Sequence, residues 1–254
     1  MSYKPNINIK NLLQVGVHFG HKKNLWNPEM SKYIYGVRNK THIIDLQQSA
    51  HQLYMALSSI FTVAYNNGRI LFVNTKKQST DVVKNAAKRC GQYYVNHRWL
   101  GGMLTNWATV SSSIKKLKKY EEVLNSKEKK YTKKELLNFT RKKEKLEKAI
   151  GGIANLGGLP DMLFIIDVKT HVIAVQEANK LNIPVFAIVD TNSSPKGVDF
   201  VIPGNDDSRK SISLYCNLVS DAILAGIEKK FSSEQVNFKK VLNTEKNKSY
   251  NKIN

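Results

Sequence analysis

The sequence predicts an α/β fold: a doubly wound, mostly parallel sheet flanked by helices, with an inserted antiparallel coiled-coil helical hairpin. Short apolar runs alternate with helical patterns, which is typical of parallel strands joined by crossover helices. The run Leu163-Phe164-Ile165-Ile166 is continuously apolar, as a centrally buried parallel strand should be. Between residues 103 and 150 the apolar residues instead recur at threes and fours, which indicates helices. These observations predict a sheet-based body that carries a helical arm.

The elements of the body alternate along the chain. Strands are expected at 43–44, 70–73, 93–95, 162–168 and 185–189, and helices at 46–66, 76–90, 171–181 and 208–228. Asp167 and Asp190 fall at the carboxyl ends of two of these strands, the edge where open α/β sheets place ligands.

Two helices form the predicted arm. One apolar stripe runs from Leu104 to Leu124 and a second from Leu136 to Ile150, while most other positions are Lys, Arg or Glu. Thr132 followed by Glu135 predicts a capping box at the start of the second helix. We expect an α/β body at 1–102 and 151–230, a coiled-coil hairpin insertion at 103–150, and a mobile basic tail at 231–254. The body should still fold when about residues 108–148 of the hairpin are deleted. The hairpin either contacts RNA or a partner, or is a solvated spacer.

The charge of the chain predicts a polyanionic partner. Lys and Arg total 40 against 20 Asp and Glu, and a formal net charge of +20 exceeds what solubility requires. The excess lies in residues 1–150 and 229–254, whereas residues 151–228 carry more acidic than basic side chains. We expect the first 150 residues to hold most of an RNA-binding face and residues 151–228 to face protein or solvent. No apolar run approaches the roughly 20 residues of a membrane span, so no membrane partner is expected.

Catalytic residues, cofactors and metals are not expected. The glycine-rich run 151–158 follows a Lys-rich helix and precedes a strand, which is the wrong context for a dinucleotide loop. Phosphate-loop, zinc-protease and hydrolase-elbow motifs do not occur, and the two cysteines show no disulfide or zinc pattern. His18 and His21 could bind a metal only with distant residues such as Asp206 and Asp207, whose position relative to them the sequence does not fix.

Candidate RNA contacts are cationic or polar residues in turns, at helix starts, beside glycines, or on the hairpin. Cations neutralise phosphates, exposed rings stack on bases, and glycines let a backbone approach a phosphate closely. The candidates are His18, His21, Lys22, Lys23, Arg38, Asn39, Lys76, Lys77, Asn96, His97, Arg98, Thr105, Asn106, Lys115, Lys116, Lys118 and Lys119. The neighbouring aromatic residues Phe19 and Trp26 are expected to lie in the core.

Several motifs in order resemble small-subunit ribosomal protein two of the bacterial and mitochondrial type. They are His18-Phe19-Gly20-His21, Trp26-Asn27-Pro28, Arg38-Asn39, His42 to Leu46, Tyr94 to Asn106, Gly158 to Asp161, Ile188 to Asn192, and Ile202 to Asp207. The resemblance runs from about residue 9 to 228. Asn74, Ser194 and Lys196 depart from the family pattern, which puts in doubt partner contacts made through acidic residues near position 194.

The resemblance implies a structural protein of the small ribosomal subunit that lies between the head and the body of the subunit. The ribosome would be that of the bacterial cytoplasm or the mitochondrial matrix. The resemblance also implies contacts with small-subunit rRNA and other ribosomal proteins, late assembly, and in bacteria docking of ribosomal protein one. A free RNA-binding or adaptor protein of the same fold is the alternative, and a nucleotide-dependent enzyme with a site near Asp190 is a third hypothesis.

Overall fold

The structure is a computed structural model that describes residues 3–5, 7–125 and 132–250, with side chains of the last helix described up to Ser233. Its strands are β1 (Phe19–Lys22), β2 (Ile34–Arg38), β3 (Thr41–Ile44), β4 (Ile70–Val73), β5 (Tyr93–Val95), β6 (Met162–Ile166), β7 (Val185–Val189) and β8 (Phe200–Pro203). Its α-helices are α1 (Ile9–Val15), α2 (Leu46–Tyr65), α3 (Thr80–Arg89), α4 (Trp107–Asn125), α5 (Lys133–Ile150), α6 (Val172–Lys180) and α7 (Arg209–Tyr250).

The main sheet has five parallel strands in the order β5-β4-β6-β7-β8. The predicted α/β class with a parallel sheet is therefore confirmed. The chain adds β5 on one side of β4 and then adds β6, β7 and β8 on the other side. The order of the strands therefore reverses between β4 and β6. Strand β8 was not predicted, since its run ends in Pro203 and has no long apolar stretch.

Alternate strand residues face two separate cores. Ile70 and Phe72 of β4 pack in one cluster with buried residues of α2, α3 and α7. Leu71 and Val73 pack in the other with buried residues of α6 and of the hairpin helices. Burying an aliphatic or aromatic side chain stabilises the fold by about 1.5–3 kcal/mol. Helices therefore cover both faces, as strands apolar on both sides require.

The hairpin is anchored in the second core. Helices α4 and α5 run antiparallel, with the rings of Tyr120 and Phe139 stacked 5.7 Å apart. The predicted capping box at Thr132 is present at the start of α5. Near the body, however, Val110, Ile114 and Leu117 of α4 are buried together with residues of the sheet. Because these residues fill part of the second core, we now expect only the outer part of the hairpin to be separable from the body.

A close approach explains one glycine of the run 151–158. Gly152 lies in a short 3-10 helix (Gly151–Ile153) after α5, and a Cβ atom there would collide with the backbone carbonyl of Tyr94 in β5. Only glycine leaves room for this contact. Gly152 therefore lets the end of the hairpin pack directly against strand β5.

The residues before β4 form a second, antiparallel sheet in the order β1-β3-β2. Strands β2 and β3 are joined by a tight turn in which Asn39 and Lys40 have φ values of 50° and 62°. Phe19 is 50% exposed and Trp26 is 38% exposed. The expectation that these two aromatic residues lie in the core is therefore wrong. Phe19 lines a groove on a face of this small sheet that the body does not cover, and Trp26 follows a short 3-10 helix outside both cores.

The last helix is longer than predicted. Helix α7 continues to Tyr250, through much of the segment expected to be a tail beginning at residue 231. Its buried residues, such as Ile212, Tyr215, Val219 and Ile223, recur at threes and fours and face the first core. The mobility of the segment stays a prediction. Within the described part of the chain, no helix is both long and apolar enough to cross a membrane.

Candidate nucleic-acid interface

Exposed basic side chains lie on the hairpin and on several loops and strand ends of the body. Lys115, Lys116, Lys118 and Lys119 on α4 are all exposed. Lys22, Lys23, Arg38, Lys77, His97 and Arg98, which come from four different segments, are exposed as well. These side chains can neutralise phosphates without first breaking a buried contact.

A groove of about 520 Å³ lies between α3, the end of β5 and the base of the hairpin. Lys84 and Lys88 line one wall, and Lys118 and Lys148 line the hairpin wall together with glutamates. His97 lies in the same groove. Lys84, Lys88 and Lys148 were not predicted, although the spacing of Lys84 and Lys88 on α3 places them on one helix face. The groove thus brings the predicted His97 and Lys118 together with cations that the sequence motifs did not single out.

The loop that joins β5 to the hairpin is held by one buried carboxylate. Glu177 of α6 is 7% exposed. Its Oε1 accepts hydrogen bonds from the Trp99 indole (3.1 Å) and the Gly102 backbone N–H (2.8 Å). Its Oε2 accepts from the backbone N–H groups of Leu104 (2.9 Å) and Thr105 (3.1 Å) and from the Thr105 hydroxyl (3.2 Å). This cluster was not foreseen, since Glu177 lies more than seventy residues away along the chain.

The pKa of Glu177 reflects this environment. Burial by itself would raise the pKa, but the hydrogen bonds from the backbone of Leu104 and Thr105, from Trp99 and from Gly102 outweigh it, so the pKa is lowered. Glu177 is therefore held as an anion that accepts hydrogen bonds.

Three of the predicted RNA contacts in this loop have polar atoms that are already bonded within the protein. Asn96 is buried, and its side-chain amide donates to the Thr80 carbonyl at 3.1 Å. The Thr105 hydroxyl donates to Glu177, and the Asn106 side-chain oxygen accepts from the Thr109 hydroxyl at 2.9 Å. RNA contact by these residues stays a prediction.

Lys76 and His21 lie in a cluster of carboxylates at the carboxyl ends of the strands. The Lys76 ammonium contacts Asp207 at 2.6 Å, Asp206 at 2.8 Å and Asp167 at 3.1 Å. His21 contacts Asp190 through Nδ1 at 3.0 Å and Asp207 through Nε2 at 3.1 Å. Both residues were predicted to meet RNA, but their charged groups are bound inside the protein. RNA contact by Lys76 and His21 stays a prediction, and it would compete with these ion pairs.

The cluster shifts the pKa values of its members. Burial, reinforced by Asp190, raises the pKa of Asp206 to about 7 although Lys76 opposes the shift. The hydrogen bond to Asp190 raises the pKa of His21 against the effect of burial. Burial would lower the pKa of Lys76, but its carboxylate partners raise it on balance. Lys76 is thus a permanent cation beside a carboxyl group that titrates near neutral pH.

This cluster fills the position where an open α/β sheet binds ligands. That position lies between the carboxyl ends of β4 and β6, because the connections that follow these two strands lead toward opposite edges of the sheet. The Lys76 side chain occupies it and binds Asp167, which follows β6. The ligand atoms of His21, Asp190 and Asp207 lie within 4.8 Å of one another, a spacing that a metal ion could bridge. The sequence had not indicated that these residues would meet, because they come from separate loops.

An apolar groove of about 610 Å³ lies on the uncovered face of the small sheet. Leu13, Phe19, Tyr35 and Val37 line it and are about half exposed or more. The ring of His18 packs on Phe19 with centroids 4.0 Å apart. Arg38 and Asn39 line the same groove. Predicted RNA contacts thus border a surface whose chemistry also suits a protein partner.

A comparison with family models and a comparison with individual proteins agree on one family. The family model "Ribosomal protein S2" matches residues 12–226. The chain is 56% identical over 238 residues to "Small ribosomal subunit protein uS2" of Wolbachia pipientis wMel, covering 93% of this chain and 84% of the relative. It is 54% identical over 230 residues to the protein of the same name from Rhodospirillum centenum, covering 90% and 88%. The counterpart in Ehrlichia ruminantium (strain Gardel) is 51% identical over 233 residues, covering 92% and 82%.

Proposed function

The chain belongs to the ribosomal protein S2 family, and from this premise we propose how it acts in the small ribosomal subunit. It is a structural constituent of that subunit, associates with small-subunit rRNA and other ribosomal proteins, and is not an enzyme. The observation that carries this conclusion is the family match, which spans both the body and the hairpin. Assembly and translation are supported through RNA and protein contacts rather than through a reaction.

We propose that rRNA phosphates lie along exposed basic side chains of the hairpin and of several loops and strand ends of the body. The proposed contacts are Lys22, Lys23, Arg38, Lys77, His97, Arg98, Lys115, Lys116, Lys118 and Lys119. The groove beside α3 would extend this surface through Lys84 and Lys88. Contacts of this kind position RNA without reading its sequence, because they reach phosphates rather than base edges.

Salt-dependent binding tests this interface. Replacing one proposed cation, for example Arg98→Ala or Lys118→Ala, should weaken binding to small-subunit rRNA across different RNA sequences. The magnitude of the salt slope should fall by about 0.7–0.9 for each phosphate that the variant no longer neutralises. Lys180→Gln is the matched control, because Lys180 is an exposed cation on α6 in the acidic segment. An unchanged slope for the whole set of variants would remove these residues from the interface.

Cosedimentation tests the ribosomal role itself. Tagged protein in its native cell should sediment with small subunits at low salt and leave them at high salt, because counterions compete for the phosphates. A pool that stays largely unbound at low salt would instead favour the free adaptor protein of the same fold.

We also propose that the ribosome containing this chain lies in the bacterial cytoplasm or the mitochondrial matrix, and that in bacteria ribosomal protein one docks on this chain. The apolar groove beside Phe19 and Tyr35 supports a protein partner, because half-exposed aliphatic side chains such as Leu13 and Val37 contribute little to binding RNA. The relatives compared above are bacterial proteins, which favours the bacterial cytoplasm.

A further inference from the structure

The segment 99–105 contains no strand and no α-helix, yet three of its residues are buried. Trp99, Met103 and Leu104 lie in the second core, and Gly102 has a left-handed φ of 82°. Within the segment, the Met103 N–H donates to the Leu100 carbonyl. The N–H groups of Gly102, Leu104 and Thr105 donate to Glu177 instead. Glu177 therefore takes the place of regular secondary structure in fixing this segment.

The hydrogen bonds to Glu177 reach both ends of the segment. Trp99 directly follows the exposed Arg98, and Thr105 lies just before Trp107, where α4 begins. The carboxylate thus fixes the residue beside the proposed RNA contact Arg98 and the residues that lead into α4, which carries four more proposed contacts. Its own oxygens face the inside of the loop and cannot touch RNA.

We propose that Glu177 is the positioning residue of the RNA interface, setting the orientation of Arg98 and the direction in which α4 leaves the body. This inference rests on the proposed function, because it names the residue that organises the proposed rRNA contacts. Glu177 acts through the loop, and its effect on RNA binding is transmitted by the residues it holds.

The chemistry of the site requires a carboxylate. Each of the two oxygens accepts from at least two donors, and each of these partners is an N–H or O–H group. The Glu177→Gln change replaces one oxygen by an NH₂ group, which would point a donor at other donors. If the NH₂ group replaces Oε2, the N–H groups of Leu104 and Thr105 lose their acceptor. If it replaces Oε1, the Trp99 indole N–H and the Gly102 backbone N–H lose theirs. Either orientation of the amide loosens part of the loop.

The first measurement is amide hydrogen exchange on the full-length protein. In Glu177→Gln, the N–H groups of Gly102, Leu104 and Thr105 should exchange faster, while those of the central strand β6 keep their wild-type protection. Gln176→Ala is the matched control, because Gln176 is the exposed neighbour of Glu177 on the same helix. This arm reports the loop alone and needs no RNA.

The second measurement is a double-mutant cycle with rRNA binding as the readout. If the loosened loop holds the binding geometry about one tenth of the time, Glu177→Gln should bind small-subunit rRNA about tenfold more weakly. Arg98→Ala should lower the salt slope by about 0.7–0.9 in the wild-type background and by clearly less in the Glu177→Gln background. A residue that only stabilised the fold would not change the contribution of Arg98 in folded protein.

A milder variant keeps the test decisive if Glu177→Gln fails to fold. Trp99→Phe removes one donor and keeps most of the buried ring, so it should reproduce the loss of coupling with Arg98 on a smaller scale. The proposal is overturned if folded Glu177→Gln, or folded Trp99→Phe in its place, binds rRNA as wild type does and Arg98→Ala retains its full effect. Failure of the proposed function is distinguishable, because wild-type protein would then not bind rRNA at all.

Discussion

Removing the Lys76 ammonium should destabilise the body more than removing any exposed lysine. Lys76→Met keeps the apolar stem of the side chain but deletes the charge that binds Asp167, Asp206 and Asp207. The side chain of Asp206 is 1% exposed and that of Asp167 is 7% exposed. The change would therefore leave two buried carboxyl groups without their cation.

The size of the effect follows from this burial. Removing one partner of a buried ion pair costs about 3–5 kcal/mol, because the other charge stays buried and uncompensated. We expect the lower end, about 3 kcal/mol, because water reaches the half-exposed Asp207 and can relieve part of the loss. For a chain of this length, that corresponds to a decrease in Tm of roughly 6–12 °C.

The effect should depend on pH through Asp206. Its pKa is about 7 in the folded protein, against an ordinary value of 3.8. Between about pH 4 and 7 the folded state keeps this proton while the unfolded state releases it, so the contribution of Asp206 to stability falls as the pH rises through this window. Above pH 7 the buried carboxylate is charged and depends on Lys76. The destabilisation caused by Lys76→Met should therefore be smaller at pH 5.5, where Asp206 is neutral and the buried carboxylate of Asp167, whose pKa is lowered, still loses its cation, than at pH 8.

Thermal and urea denaturation followed by circular dichroism at pH 5.5 and pH 8 would measure this. Lys77→Met is the matched control, because Lys77 is the exposed neighbour of Lys76 and its loss should leave Tm unchanged at both pH values. Adding Asp206→Asn to Lys76→Met should restore much of the stability at pH 8. An equal decrease in Tm at both pH values, or none at pH 8, would refute the reasoning.

Two further predictions concern the hairpin and the apolar groove. Deleting residues 108–148 should unfold the body, because it removes Val110, Ile114 and Leu117 from the second core at a cost of about 2–5 kcal/mol for each large aliphatic residue. Deleting only 121–143 and joining the ends with a short Gly-Ser linker should leave the melting curve intact and reduce incorporation into small subunits, and a folded 108–148 deletion would contradict this. Tyr35→Glu, which places a charge on a residue that is 82% exposed, should abolish binding of purified ribosomal protein one in a pull-down without lowering Tm. Binding that persists would move the docking site elsewhere.

The parallel sheet could be predicted from the sequence because its central strands are apolar on both faces. The runs at β4, β6 and β7 match the predicted ranges to within two residues. The small antiparallel sheet was missed because β1 and β2 are short, partly exposed, and have no apolar alternation that distinguishes them from loops. Helix α1 was missed for a related reason, since only Leu12 of its residues is buried.

The candidate site was predictable where single residues act through exposed charge, and not where distant residues meet. The hairpin lysines follow from the helical period, since the apolar stripe fixes which side chains face solvent. The contact of Lys76 with Asp206 joins residues 130 positions apart, and no local pattern reports it. For the same reason the sequence could not separate Lys76, whose charge is used inside the protein, from the exposed Lys77.

Ion pairs join the basic first part of the chain to its acidic segment. We expected the acidic segment 151–228 to face protein or solvent, but several of its carboxylates bind cations from residues 1–110. These pairs are His21 with Asp190 and Asp207, Lys76 with Asp167, Asp206 and Asp207, Arg69 with Asp161, and Arg89 with Asp221.

Some basic residues of the first 110 positions therefore pair with acidic residues of segment 151–228 and link these two parts of the chain. The hairpin contains few internal pairs of this kind among its described residues, of which Lys143 with Glu121 and Glu147 are examples at 3.8 and 4.0 Å. Long contacts between exposed groups contribute little energy and leave the lysines available. The cations available to RNA are therefore the hairpin lysines together with exposed body residues such as Lys22, Lys23 and Arg98, whereas Arg69, Lys76 and Arg89 are paired with carboxylates of the body.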